Sequence, residues 1–280
     1  MFEAKDAPMF HGIFAQRLDP SGALLGEVAD IGTFGPYDKK DPQVTWGEGH
    51  WLVTWSEQMW MSGSFVSGLV NGQFVGTDGG KEGDEISIVP DGSANQHPAP
   101  VAYNAATDNF LLVSENATND AYMGYLLGNV AGQSPLSKVA VAQPAANYAQ
   151  GILLTIFPDV AADPDPVNPR FLVTWGFQEV SLMMPGARTI EIQGQFVRAD
   201  GSLDGAPESF VSHVNSDYVE LLSSVAFSQE SQEYVLAYQY FMDGAQGDYV
   251  RLARLDKQGY VVEGEIAVGD VISNGILQPT

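Results

Sequence analysis

Leu52-Val53-Thr54-Trp55, followed by Gly72-Gln73-Phe74-Val75-Gly76-Thr77-Asp78-Gly79, decides how this chain is read. The first stretch is a short apolar run ending on an aromatic ring. The second is a strand that runs into an Asp-Gly turn. Both recur along the chain. The apolar run returns as Phe110-Leu111-Leu112-Val113, Phe171-Leu172-Val173-Thr174-Trp175 and Tyr234-Val235-Leu236-Ala237-Tyr238, with aligned ends at Trp55, Ser114, Trp175 and Tyr238. Three of these runs follow a shorter one: Val44-Thr45-Trp46, Val101-Ala102-Tyr103 and Val225-Ala226-Phe227. The hairpin returns from Gln16 to Gly22 with Gly26 after it, from Gln195 to Gly201 with Gly205, and from Ala253 to Gly259 with Gly264; a degraded copy covers residues 129–132. Asp before Gly supplies the positive φ that a tight hairpin requires. Each unit therefore reads as four short strands rich in Val, Ile, Phe, Tyr and Trp, and no stretch of helical length shows a capped 3.6-residue period. A four-stranded unit of about 60 residues is a propeller blade. The spacing predicts an all-β, five-bladed β-propeller forming one domain over residues 1–280, with units at roughly 10–32 plus the termini, 41–90, 98–142, 150–212 and 222–269.

The Leu-Val-x-Trp strand and Gly-Gln-x4-Asp-Gly hairpin resemble the repeat of secreted and surface-attached bacterial β-propeller proteins. The match is best at Leu52 to Gly79 and Leu172 to Gly201 and looser in the second and fourth units. The resemblance implies the fold and an extracellular, periplasmic or cell-surface location. It implies no catalytic residue, because that group has no single activity. Residues 1–10 lack the basic start and apolar stretch of a signal peptide, which leaves a removed leader or a cytoplasmic location.

Residues 10–32 read as the third and fourth strands of a unit whose first two are missing. Residues 271–277 and 2–8 are placed to supply them, so that both termini close the ring and remove its open edges. The rivals are a half blade completed by another subunit in a domain-swapped homo-oligomer, and a truncated reading frame.

With 12 Lys+Arg against 35 Asp+Glu, the chain carries a formal charge of −23. A field of that sign argues against nucleic-acid and anionic-membrane partners, and no apolar run is long enough to insert as a membrane helix. The acids are scattered over the chain, and the balance suits salty surroundings. The absence of Cys excludes disulfides, thiolate metal sites and a Cys nucleophile.

The connections after the second strand of each unit read as long upper-face loops. Glu57 and Glu115 fall one residue apart in the repeat alignment, and two carboxylates can act as acid and base or nucleophile in glycoside hydrolysis. Trp60, Tyr122, Gln178 and Gln239 lie nearby and mix ring faces with amides, which suits a sugar or another small polar-apolar ligand. His11, His97 and His213 are expected on the same face and would together suit a divalent transition metal, while His50 falls on the lower face. Residues 163–169 (Asp-Pro-Asp-Pro-Val-Asn-Pro) offer oxygens to Ca²⁺ without the EF-hand spacing, and Asn116-Ala117-Thr118 fits the glycosylation pattern. GxSxG, HExxH, P-loop and GxGxxG motifs are absent. The expected function is a carbohydrate-active propeller resembling a glycoside hydrolase. The alternatives are a non-catalytic glycan-binding or adhesion propeller and a metal-dependent hydrolase or oxidase using the three histidines.

Overall fold

A computed structural model of the protein describes residues 11–32, 37–61, 64–94, 98–116, 121–142, 151–181, 188–214, 223–241 and 248–268. It is all-β. The first sheet has two strands, β1 (Ile13–Leu18) and β2 (Leu24–Gly32). Four sheets of four antiparallel strands follow, each ordered as in the sequence. The first comprises β3 (Asp38–Gly47), β4 (His50–Met61), β5 (Ser64–Gly76) and β6 (Lys81–Val89). The second comprises β7 (Val101–Asn104), β8 (Asn109–Asn116), β9 (Ala121–Gly128) and β10 (Ser137–Ala142). The third comprises β11 (Gly151–Asp163), β12 (Arg170–Ser181), β13 (Arg188–Arg198) and β14 (Leu203–Val214). The last comprises β15 (Ser223–Ser228), β16 (Glu233–Phe241), β17 (Asp248–Asp256) and β18 (Val261–Ala267). No helix long and apolar enough to cross a membrane occurs among the described residues.

The repeated hairpin has a local cause. Asp19, Asp78, Asp200 and Asp256 each turn a carboxylate oxygen onto a backbone N–H two residues ahead, at 2.8, 2.8, 2.8 and 2.9 Å. The glycine that follows takes φ near +85 to +92°, where a Cβ is strained. The Gln of the motif does equally specific work. In three hairpins its side-chain amide donates across to the fourth strand: Gln16 to the Leu25 carbonyl (2.9 Å), Gln73 to Glu82 (3.0 Å) and Gln195 to Asp204 (3.2 Å). A longer bond reaches the following glycine carbonyl in each case. The ladder slips by two residues at these points. The Gln is thus a strut that satisfies carbonyls released by a β-bulge. The second glycine, Gly83 at φ +67° for example, is the bulge residue itself.

Strand alternation gives every central sheet two apolar faces. Neighbouring sheets share a core at four seams. Ile13 and Ile31 meet Val53, Trp55 and Val75. Leu52, Phe74 and Ile88 meet Phe110 and Leu112. Leu111, Val113 and Tyr122 meet Phe171, Val173 and Trp175. Leu172, Ile192 and Phe210 meet Tyr234, Leu236 and Tyr238. Polar staples cross the seams as well. Asp159 on β11 accepts from the Ser224 hydroxyl and the Val225 N–H, both at 2.8 Å, and from the Val160 N–H. No apolar cluster among the described residues joins β15–β18 to β1–β2.

The structure corrects the reading of the upper connections as long loops. Residues 56–61, Gln178 and Gln239 continue β4, β12 and β16 as strand. Met59 and Met61 face Ser67 and Ser64 in register.

Candidate upper-face site

β3 and β4 bring Lys39 and Glu57 opposite each other in the ladder. Both are buried, and the Lys39 ammonium donates to Glu57 Oε1. The Trp55 indole N–H reaches the same oxygen at 3.3 Å, and its ring lies 5.3 Å from the ammonium. Burial pushes the Lys39 pKa down, while the charges of Glu85 and Asp30 push it back; the adjoining carboxylate of Glu57 acts in the same sense as those two. Glu57 lines a cavity of about 340 Å³ together with Tyr37, Met59, Ser67, Asp91 and Gly92. Asp91 accepts from the Ser93 hydroxyl and backbone N–H, and Lys138 lies 3.6 Å away. The Ser93 hydroxyl is the main reason its pKa sits below the usual carboxylate value.

Glu115 is also buried, but the structure does not bring it to Glu57. On β4, Val53 and Trp55 face β1–β2, and Glu57 follows them by period two. On β8, Leu111 and Val113 face β11–β14, and Glu115 follows them in turn. The β3–β6 and β7–β10 sheets, packed on each other through Leu52 and Phe110, stand between the two carboxylates. Tyr122, opposite Glu115 in the ladder, is fully buried with its ring 5.8 Å from Trp175; it is core. Gln239 is buried on the face of β16 opposite the Tyr234, Leu236 and Tyr238 core. Trp60 lies on β4 and Gln178 on β12; their side chains lie outside the described residues.

His11 is exposed and its Nδ1 lies 2.5 Å from Asp38 Oδ1. His97 lies outside the described residues. His213 is opposite Ile190 on β14, its side chain likewise outside the described set. No three His, Asp or Glu side chains gather as a metal site among the described residues. His50 pairs with Glu82. At the 163–169 turn the cation is a side chain of this chain. Lys257 Nζ is 2.8 Å from Asp165 and 3.7 Å from Asp163. It holds the Asp165 pKa down at about 2, while burial pushes that of Asp163 up.

Lys39, Tyr37 and Asp91 escaped the sequence reading. Lys39 lies in a charged stretch, Asp38-Lys39-Lys40-Asp41, which gives no sign of burial along the chain.

A larger groove, of about 690 Å³, lies between β1 and the β3–β5 face and is lined by Ile13, Phe14, Val44, Trp46 and Trp51 among others. It is mainly apolar. Val44 is 63% exposed there, whereas Val160 and Val225, at the same place in later units, are 6% and 7% exposed.

Sheets of this kind in sequence order, packed face to face, define a β-propeller. The fold is similar to that of an exo-1,5-alpha-L-arabinanase from a bovine ruminal metagenomic library, at 10% identity over 90% of each chain with a TM-score of 0.50. A GH43 endo-arabinanase from Bacillus licheniformis aligns at 11% identity over 89% of this chain and 91% of its own, with a TM-score of 0.43. No family model and no curated protein matches the sequence.

Proposed function

We propose that the protein is a carbohydrate-active propeller that takes a glycan at the upper-face cavity beside Glu57. The observation that carries this is the cavity itself. It places a fixed carboxylate, a second carboxylate at Asp91, a phenol at Tyr37 and a thioether at Met59 around a space of about 340 Å³. That mixture suits a sugar, whose hydroxyls need acceptors and whose ring needs an apolar surface. The likeness to arabinanases makes short arabino-oligosaccharides the first probes. Of the enzymatic and binding readings, the geometry favours binding. Two-carboxylate hydrolysis needs acid and partner across one bond, with carboxyl groups about 5–9.5 Å apart, and Glu57 and Glu115 face different seams. Titration calorimetry with arabino-, xylo- and galacto-oligosaccharides, alongside a chromogenic glycoside panel, tests this. Binding abolished by Glu57→Gln and Tyr37→Ala supports the site. Binding indifferent to both variants overturns it, and turnover lost in Glu57→Gln and Glu115→Gln alike restores the hydrolase reading.

We infer further that the ring has five blades, with residues 271–277 and 2–8 supplying the two strands that β1 and β2 lack. Those segments lie outside the described residues. The support is the groove: among the described strands β1 pairs with β2 alone, and Val44 is left bare where Val160 and Val225 are buried. Deleting residues 270–280 should lower the melting temperature sharply. A second subunit supplying the strands would instead show as a dimer in light scattering.

A further inference from the structure

We propose that Lys39 is a positioning residue for this cavity: it holds Glu57 as a fixed carboxylate that accepts hydrogen bonds from a neutral, hydroxyl-rich ligand and refuses an anionic one. The inference rests on the glycan reading for its ligand and on independent geometry for the role of Lys39.

Lys39 and Glu57 are direct cross-strand partners, with side chains 4% and 7% exposed. A buried ion of either sign is tolerated only when paired and hydrogen-bonded. Glu57 Oε1 takes two donors, the Lys39 ammonium and the Trp55 indole N–H. The same ammonium lies 5.3 Å from the Trp55 ring, so three side chains brace one another on the face turned to β1–β2. The neighbouring sheet leaves room for this arrangement. Gly32 ends β2 beside the Lys39 stem, and a Cβ there would stand 3.2 Å from Lys39 Cδ and 3.3 Å from Ile13, closer than most real contacts. Other charged or titratable groups acting here are Asp30 on β2, Glu85 on β6, and Asp91 and Tyr37 at the cavity.

The chemical consequence concerns which proton state Glu57 holds. Two donors on one oxygen, one of them charged, favour the ionised form of Glu57 against the burial that opposes it. The carboxylate accepts from vicinal sugar hydroxyls but carries no proton to deliver to a leaving group. Asp91, held ionised by Ser93 and Lys138, adds a second acceptor. Glu57 and Asp91 offer acceptor oxygens, which a ligand hydroxyl can use and a ligand carboxylate or phosphate cannot.

The test is a ¹³C NMR titration of carboxyl-labelled Glu, with Glu57 assigned by its loss in Glu57→Gln. In the wild type the Glu57 resonance should remain that of a carboxylate at pH 5. In Lys39→Met its midpoint should rise by more than about one unit, a tenfold gain in proton affinity. A midpoint unchanged in Lys39→Met, or a wild-type Glu57 already protonated at pH 5, overturns the proposal. Should Lys39→Met fail to fold, the double variant Lys39→Met/Glu57→Gln decides. It is expected to recover a cooperative melt, because the orphaned charge is gone, and a double variant as unstable as the single one refutes the pairing. Calorimetry then compares neutral arabino-oligosaccharides with uronic-acid oligosaccharides of equal length, with the neutral ligand expected to bind at least tenfold tighter. Equal or tighter binding of the acidic ligand overturns the specificity. If neither binds, the glycan reading fails, and the titration still decides whether Lys39 sets Glu57.

Discussion

Removing the amide strut of the third sheet should cost measurable stability, and its size follows from geometry. Gln195 is buried, and its Nε2 donates to the carbonyls of Phe196, Asp204 and Gly205 at 2.9, 3.2 and 3.3 Å. Gln195→Ala strips the bulge carbonyls of their donor and leaves a small void. An unsatisfied buried carbonyl costs about 1–3 kcal/mol, and the lower half applies because Asp204 and Gly205 retain some access to water. The void adds up to about 1 kcal/mol, for a loss of about 1–3 kcal/mol. With an unfolding entropy of about 2.1 cal/mol/K per residue, the chain unfolds with about 0.6 kcal/mol/K, so the melting temperature should fall by about 2–5 °C. Gln16→Ala is the internal control. The same strut in β1–β2 is exposed, water replaces it, and the shift should stay below about 1 °C. Scanning calorimetry on both variants decides the matter. If Gln195→Ala shifts no more than Gln16→Ala, the strut is not what holds the bulge.

Gly83→Ala and Gly26→Ala form a matched pair at the bulge glycine. Both have φ near +70°, but a Cβ at Gly83 meets the Ala131 and Gly132 backbone at 3.0 Å while at Gly26 it meets only the Arg17 side chain at 4.0 Å, so Gly83→Ala should cost about 2–3 kcal/mol and Gly26→Ala about 1 by urea unfolding. Burial raises the Asp159 pKa in the folded protein, so its ionisation subtracts stability as pH rises from its unfolded value through the folded one. The melting advantage of wild type over Asp159→Asn should therefore be greatest in acid and shrink as pH rises, and an advantage that grows instead contradicts the assignment. Lys257 holds Asp165 at about 2 against an ordinary 3.8, a contribution present above about pH 4 and lost as pH falls toward 2. Lys257→Met should lower the urea midpoint at pH 7 and leave it near wild type at pH 2.

The sheets were legible because their signals are local. An Asp-Gly turn, a Gln bonded across its hairpin to a bulge and an alternating apolar run each act within about ten residues, and they repeat. The site was less legible because it depends on which face a residue takes and which partner the ladder sets against it. Glu57 and Glu115 differ by one place in the repeat, which reads as near-equivalence along the chain and is opposite sides of a sheet in space. Lys39 meets Glu57 only through a register that slips between Lys40 and Gln43, and no spacing rule gives that slip. The upper loops were misread for a simpler reason. Residues 56–61 contain neither Gly nor Pro, so nothing there stops a strand.

The strut also bears on the order in which the chain folds. A hairpin such as Gln73 to Ile88 carries its own turn cap, bulge and cross-strand amide bond, all within a short span of sequence. Such pieces form on the microsecond scale, whereas seams such as Asp159 to Val225 join residues 66 apart and wait on slower chain encounters. The third and fourth strands of the β3–β6 and β11–β14 sheets are therefore the natural nuclei, with the first two added to them. The β1–β2 pair, which among the described residues keeps its strut and turn with no further strand in its sheet, shows the parts of such a nucleus by themselves.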